Sequence, residues 1–532
     1  MSYTGTKIEL PLGKQGVRTD DPNADLSLGE LFRAVNTDFY AGMIQKAPGS
    51  KKWSTLVATG GAILAGYDWE PLDGIHRVTV GCADGHLYQF KNNTRITQMV
   101  VDTGAPPKLT PVGQPHFVTC GENTSAINRK LVFFSGSDMP QVVDGNTIIR
   151  RNITKPASEW VAGNFPSFGI VFRNHLWTLG TKGAPHRVIA STAADHEDFT
   201  TLADVITQDV FPGEGDYLTT AWVFRGKLFV AKFPRGVYVL NDSSTTSSQW
   251  YFEKVADTYG SISAHGTTEV VDDLLVANQF GTLTAMSAAF QLGNVKFADL
   301  IANLRVEQMV RSETRPTLAI SRWSLFYPDK KLALFTYRST QGSVTDKFVC
   351  IDFTNQKPKA YMLDKDKPLC LFLVKDMDGQ ARPVYGGTDG FLYQMDDVNR
   401  LVGTNGYGCE FRIPYTDFGM ETNKMFDFLE VECEHAGLWN LYCDVHIDDD
   451  YSETITYLMA SPPVLRPTGD SNCFQLDHSR LLGRQTRSFR KQLHGRGRNI
   501  AFRFYMNDTT GQNFKITKCI VYTRLGNEDK KS

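Results

Sequence analysis

A hairpin that recurs at intervals constrains this chain more than any other feature. It reads His76-Arg-Val-Thr-Val-Gly-Cys-Ala-Asp-Gly-His-Leu-Tyr-Gln-Phe90: an apolar strand, a glycine turn, then a second apolar or aromatic strand. It returns as Lys227-Leu-Phe-Val-Ala-Lys-Phe-Pro-Arg-Gly-Val-Tyr-Val-Leu240 and as Asp273-Leu-Leu-Val-Ala-Asn-Gln-Phe-Gly-Thr-Leu-Thr-Ala-Met286. The last copy, Pro383-Val-Tyr-Gly-Gly-Thr-Asp-Gly-Phe-Leu-Tyr-Gln-Met395, nearly repeats the first. Looser copies lie at Leu131–Val143, His175–Ser191 and Leu332–Phe353. Asp-Gly and Gly-X turns between alternating strands are the strongest short-range hairpin signal. Their spacing, roughly 45 to 60 residues, is that of four-stranded propeller blades. An isolated hairpin cannot bury its face, whereas circular stacking buries it and leaves few free edges. The copies point to about seven units, with about five to eight compatible with the looser ones. An open sandwich or two stacked sheets is the competing architecture.

The remaining sequence divides around this repeat. Residues 1–53 contain no hairpin unit and carry an apolar patch of Leu26, Leu28, Leu31, Phe32, Val35 and Phe39. They are expected to form an arm or strap laid over another surface, with a helical turn begun by Ser27 and Glu30. The propeller is expected over residues 54–405. Phe297, Leu300, Ile301 and Leu304 follow helical spacing through Lys296–Met309, so a short helix interrupts it. After Asn405 the hairpin unit stops, and Glu410–Pro414, Met425–Glu434, Trp439–Ile447, Thr454–Met459, Ile500–Met506 and Phe514–Tyr522 read as strands of period two. The expected fold is therefore all-β: a β-propeller with an N-terminal arm and, over residues 406–532, a C-terminal antiparallel β-sandwich or barrel.

Chemistry is sparse in the sequence. The formal charge of −2 gives no bulk drive toward nucleic acid or anionic membrane. The first residues carry no secretory signal pattern, and no stretch reaches the roughly 18 apolar residues a membrane helix needs. The nine cysteines form no CxxC and read as reduced core thiols of a chain folded in a cytoplasm. Neither a GxSxG elbow, a Walker loop, an HExxH nor a dinucleotide fingerprint occurs, so no enzyme, metal or cofactor is expected. Asp448-Asp-Asp450 with Glu453 lacks the spacing of a calcium loop and reads as a solvated hairpin turn. His196, among the carboxylates of Asp195-His-Glu-Asp198, could act as base or ligand, but a capped surface loop is the simpler reading. Trp177, Trp222 and Trp323 could stack on sugar in a propeller pocket or pack between blades.

The most unusual charge pattern runs from Arg480 to Arg498. It holds Arg480, Arg484, Arg487, Arg490, Lys491, Arg496 and Arg498, with His494 and no acid. Arginine outnumbers lysine, which favours fixed bidentate contacts over loose attraction. A partner or subunit contact, a phosphate contact and a solvated segment are the three readings.

Several segments resemble one family, the tail nozzle or hub proteins of short-tailed bacteriophages, also called packaged-DNA stabilisation proteins. Leu10-Pro-Leu-Gly13, then Asn36, then Gly42-Met-Ile-Gln-Lys-Ala-Pro-Gly49 resemble the family opening, although that opening usually shows Arg-Pro-Gly where this chain has Lys46-Ala-Pro-Gly49. Ile189-Ala-Ser-Thr-Ala-Ala-Asp-His-Glu-Asp-Phe199 is similar to a middle segment of the family. Thr416-Asp-Phe-Gly419 leading to Lys424-Met-Phe426, and Gly495-Arg-Gly-Arg498 leading to Gly511-Gln-Asn-Phe514, resemble its last domain. The resemblance implies a virion protein, assembled in the host cytoplasm, that forms a homohexamer on the axis of a short tail. It would meet an adaptor (the head-to-tail connector), hold a tail fibre or tailspike, and retain and then conduct double-stranded DNA. A conduit must not grip what it passes, so the basic stretch is expected to face a neighbouring protein and the lumen to be acidic or mixed. A carbohydrate-binding or glycan-cleaving propeller is the alternative.

Overall fold

The computed structural model describes residues 5–21, 26–27, 29–40, 43–53, 61–70, 76–91, 94–98, 100–101, 110, 114–121, 129–144, 149–201, 204–213, 216–271, 273–287, 300–318, 322–355, 357–375, 379–434, 439–448, 451–459, 486–507, 511 and 513–525. Seven blade-like units follow one another among them, six as small separate sheets and the sixth in order as the first four strands of a larger one. Each of the seven recurring hairpins supplies the second and third strands of one sheet, from Arg77–Cys82 with Leu87–Lys91 in the first to Ala381–Gly386 with Leu392–Asp397 in the seventh. The innermost strands are Ile63–Trp69, His116–Cys120, Phe168–Phe172, Tyr217–Phe224, Thr267–Val270, Ser324–Tyr327 and Cys370–Lys375. These lie side by side in a ring, the seventh returning to the first. Blades four and five join through Thr219 and Thr220, whose hydroxyls donate to Ser261 O (3.1 Å) and Ala264 O (3.0 Å). The chain is a β-propeller followed by a β-sandwich.

Packing explains why the middle strands read as continuous apolar runs rather than alternations. A blade is covered on both faces, so both sets of side chains are buried. Arg77–Cys82 and His175–Leu179 are buried at every position. Separate apolar wedges fill successive blade interfaces: Val132, Phe134, Leu176 and Ile189 between blades two and three, Leu179, Val188, Leu218 and Leu228 between three and four, and Trp222, Phe229, Leu274 and Val276 between four and five.

The N-terminal segment is not a strap laid on a surface; it is woven into the sheets as strands. Gly49–Lys52 pairs antiparallel with Leu392–Asp397 and forms the outer strand of blade seven, closing the ring with chain from far upstream. Arg33–Val35 lies between the outer strand of blade six, Lys359–Leu363, and Cys409–Thr416 of the C-terminal domain. Blade six thereby continues into a nine-stranded sheet ending in Ile500–Met506, Trp439–Ile447 and Tyr451–Met459. The facing sheet is Thr486–Gly497, Lys424–Glu434 and Lys515–Leu525, extended by Met43–Lys46 and Thr37–Tyr40, while Thr6–Leu10 pairs the far end of Lys515–Leu525. Leu429, Val431, Cys519 and Val521 of one sheet and Leu441, Val445, Phe502 and Phe504 of the other are buried, and Tyr457 donates across to Leu429 O (3.2 Å). Unpaired strand edges explain the weaving, because each N-terminal strand satisfies backbone groups that would otherwise be exposed.

Two local expectations are corrected. Ser27 N–H does donate to Glu30 Oε2 (2.8 Å), half of a capping box, but no helix follows. Glu30–Leu31 is extended, paired parallel with Gly16–Val17, and Glu30 is held by Arg18 at 2.6 Å. The helix expected over 296–309 is instead two short ones, Leu300–Asn303 and Glu307–Glu313, separated at Arg305 in a left-handed conformation (φ 55). The second is capped from the N-terminal segment: Asp20 accepts from Glu307 N–H (3.0 Å) and Gln308 N–H (2.7 Å), and Thr19 Oγ1 from Met309 N–H (3.1 Å). Such a cap has no local sequence signal. Phe297 lies outside the described residues.

Candidate functional site

The basic stretch is largely a strand. Thr486–Gly497 forms one edge of its sheet, antiparallel to Lys424–Glu434. Charged residues hide its period of two, for only Phe489 and Leu493 are apolar. Arg480 and Arg484 lie outside the described residues, as does the side chain of Arg487, whose backbone sits opposite Cys433. Arg490 sits opposite Glu430 with its guanidinium over the rings of Tyr522 (3.9 Å) and Phe428 (4.3 Å), a fixed cation–π stack. Lys491, Arg496 and Arg498 are exposed. Met425, opposite Arg496, is 49% exposed, and Leu525 on the same sheet is 67% exposed. Exposed apolar groups beside arginine are the composition of protein interfaces.

Of the apolar N-terminal residues, Leu26, Leu31 and Phe39 are buried, and Phe32 is half-buried beside Arg412, Tyr415 and Phe502. Phe39 packs edge-on to Tyr361 of blade six at 5.7 Å. Leu28 lies outside the described residues. These side chains serve the chain's own joint.

Asp195–Phe199 is a buried staple between blades two and three rather than a surface loop. Glu197 accepts from Lys130 Nζ and Arg151 Nη2, both at 2.6 Å. Burial alone would raise the Glu197 carboxyl, but these cations outweigh it and hold it at about 2. Asp198 binds Lys155 Nζ (2.6 Å) and the Thr201 hydroxyl (2.8 Å), and Phe199 packs on Trp160 at 4.7 Å. His196 accepts from Gly121 N–H (2.8 Å) through Nδ1 and donates through Nε2 to Asn174 O (2.8 Å), a neutral ring whose basicity burial lowers. Asp448 caps the strand turn, accepting from Arg498 N–H (2.6 Å) and Asn499 N–H (2.7 Å), while Asp449 and Asp450 lie outside the described residues. Among the described residues no group of three or more His, Cys, Asp or Glu side chains is placed to hold a metal.

Trp177 and Trp222 are blade packing: Trp177 is 1% exposed and stacks on Trp250 (6.4 Å), and Trp222 stacks on Phe229 (6.1 Å). Trp323 reaches the propeller axis. There His265 stacks on Trp323 (3.7 Å) and His116 on Phe168 (3.9 Å), and the two histidines meet at 5.2 Å. His116 belongs to blade two and His265 precedes the inner strand of blade five. Those blades are not neighbours, so their contact spans the central space. Gln114 ties the same level together, donating to Arg322 O (2.9 Å) and accepting from the Ser263 hydroxyl (2.6 Å). Each imidazole donates Nε2–H to a backbone carbonyl, His116 to Gly169 O (2.9 Å) and His265 to Pro115 O (3.0 Å). Burial holds both neutral, pushing His265 down to about 4.

This plug separates two cavities. One, of about 550 Å³, opens at the leading ends of the inner strands, among Ser135, Ser167, Lys182, Tyr217 and Ser263. The other, of about 400 Å³, lies farther along them, walled by Tyr67, Phe117, Phe168, Trp323 and Phe372 with Asp68. The sequence signalled Trp323 but neither histidine nor Asp68, because nothing local announces that they converge.

The fold and these sites define a closed β-propeller whose N-terminal strands join it to a β-sandwich. No protein-family model matches the chain, and no curated protein matches it. Among solved structures it is similar to BBS1N in complex with ARL6DN (10% identity over 66% of this chain and 96% of that one, TM-score 0.39). It is also similar to the computationally designed Ika8 protein (10%, 72% and 100%, TM-score 0.35). A third is an exo-beta-1,3-galactanase from Phanerochaete chrysosporium with galactose (11%, 90% and 100%, TM-score 0.29). Scores this low carry no argument about function. Among the described residues no helix is long and apolar enough to cross a membrane.

Proposed function

We propose that this chain is a structural subunit of a short bacteriophage tail, a nozzle or hub protein. Six copies would form a ring that retains and then conducts double-stranded DNA, seated on an adaptor and carrying fibres or a tailspike. The observation that supports this reading is where the family-like segments fall: they are the mechanical joints. Met43–Lys46 and Gly49–Lys52 link the sandwich to blade seven. Asp195–Phe199 staples two blades. Thr416 to Lys424 turns the chain between the two sandwich sheets. A subunit that bears load needs its domains joined by strands rather than by a linker.

The propeller axis is plugged, so DNA would pass between copies and not through a blade ring. The lumen would then be acidic or mixed, since each Lys or Arg on phosphate adds affinity and friction. The basic edge strand, with Met425 beside it, would face a neighbouring protein. Negative-stain microscopy and mass measurement of the purified chain, alone and with adaptor protein, test this. Six-fold rings with tail density are the expected result. A persistent monomer with adaptor present, or a ring whose lumen is lined by Arg490 and Arg498, overturns it.

A further inference from the structure

We propose that the axial cavity beside the His116–His265 contact binds an alkylammonium group, such as that of a small quaternary amine. Its volume of about 400 Å³ is in the range of small-molecule sites. Aromatic rings from five blades wall it: Tyr67, Phe117, Phe168, Trp323 and Phe372. Such faces attract cations, and desolvation strengthens the attraction.

The second observation is Asp68 within that wall, its side chain 8% exposed. Oδ2 accepts Lys375 N–H at 2.8 Å. Oδ1 has His76 Nδ1 as its nearest partner, a long contact at 3.5 Å. The carboxylate gives the cavity wall negative potential, which an alkylammonium group would meet at close range in a desolvated site. No lysine or arginine lines this cavity to compete, and the two histidines at its floor are held neutral. Burial raises the Asp68 carboxyl, with the Lys375 amide and His76 opposing. The inference does not depend on the tail assignment.

Calorimetric titration of the full chain at pH 7.5 and constant ionic strength tests it. The probes are tetramethylammonium and choline, with methyl β-galactoside as a neutral counterpart. Saturable binding of the cations is expected, weakened at least tenfold in Asp68→Asn. Thr267→Trp, which fills the cavity without touching the carboxylate, should abolish it, and serves alone if Asp68→Asn does not fold. Absence of saturable cation binding, binding unchanged in either folded variant, or preference for the galactoside overturns the proposal.

Discussion

His265 lies face to face with Trp323, ring centroids 3.7 Å apart, while also meeting His116 of blade two at 5.2 Å. The contact closes the propeller axis with neutral rings, and its neutrality is a condition of stability. Unfolded, His265 titrates near 6.5; folded, burial brings it to about 4. Between those values the unfolded chain binds more protons, so this contribution is complete above pH 6.5 and is lost as pH falls toward 4. The loss is on the order of 3 kcal/mol. Urea midpoints measured from pH 7 to 4 should fall, and His265→Gln should flatten much of that slope.

Glu197 links blades two and three through Lys130 and Arg151. Glu197→Gln leaves two half-buried cations short of a partner, at a cost of about 2–3 kcal/mol given their partial exposure. Hydrogen exchange should quicken at Ile149–Asn152 and Arg187–Ala190, leaving the sandwich unchanged. This loss should appear in wild type only below pH 4.5, as Glu197 protonates toward about 2.

Gly49 opens the strand that closes blade seven. A Cβ there would stand 2.3 Å from Leu401 O and 2.5 Å from Leu401 N, both backbone atoms that cannot swing aside. Gly49→Ala should therefore cost about 2 kcal/mol or more and raise exchange at Gly49–Lys52 and Leu392–Asp397 together.

Lys491 and Arg498 are exposed on and just beyond the basic edge strand. Reversal of both to glutamate should change monomer stability by no more than about 0.5 kcal/mol. If the strand faces a neighbouring subunit, the same change should shift ring assembly to at least tenfold higher protein concentration, read by light scattering. Unaltered assembly would remove the strand from the interface.

The middle hairpins were legible because both their signals are local. Asp84-Gly85 and Asp389-Gly390 mark turns, and apolar runs mark strands covered on two faces. Thr486–Gly497 was legible as a charge pattern but not as a strand, since its charged residues mask alternation. The site was the least legible. His116, His265 and Asp68 are separated by long stretches of sequence, and only the ring of inner strands brings them to one axis.

The sequence by itself determined that hairpins must stack and that a different β domain must follow, because turn chemistry and side-chain alternation act over a few neighbouring residues. Tertiary structure alone decided that Thr6–Leu10, Arg33–Val35, Met43–Lys46 and Gly49–Lys52 would be strands of other sheets, that Asp20 would cap a helix beginning at Glu307, and that the axis would be plugged. Those outcomes depend on which exposed backbone edges and cavities a folded body offers, and a strand that completes a distant sheet needs nothing in its own sequence beyond a length of extended, pairable chain.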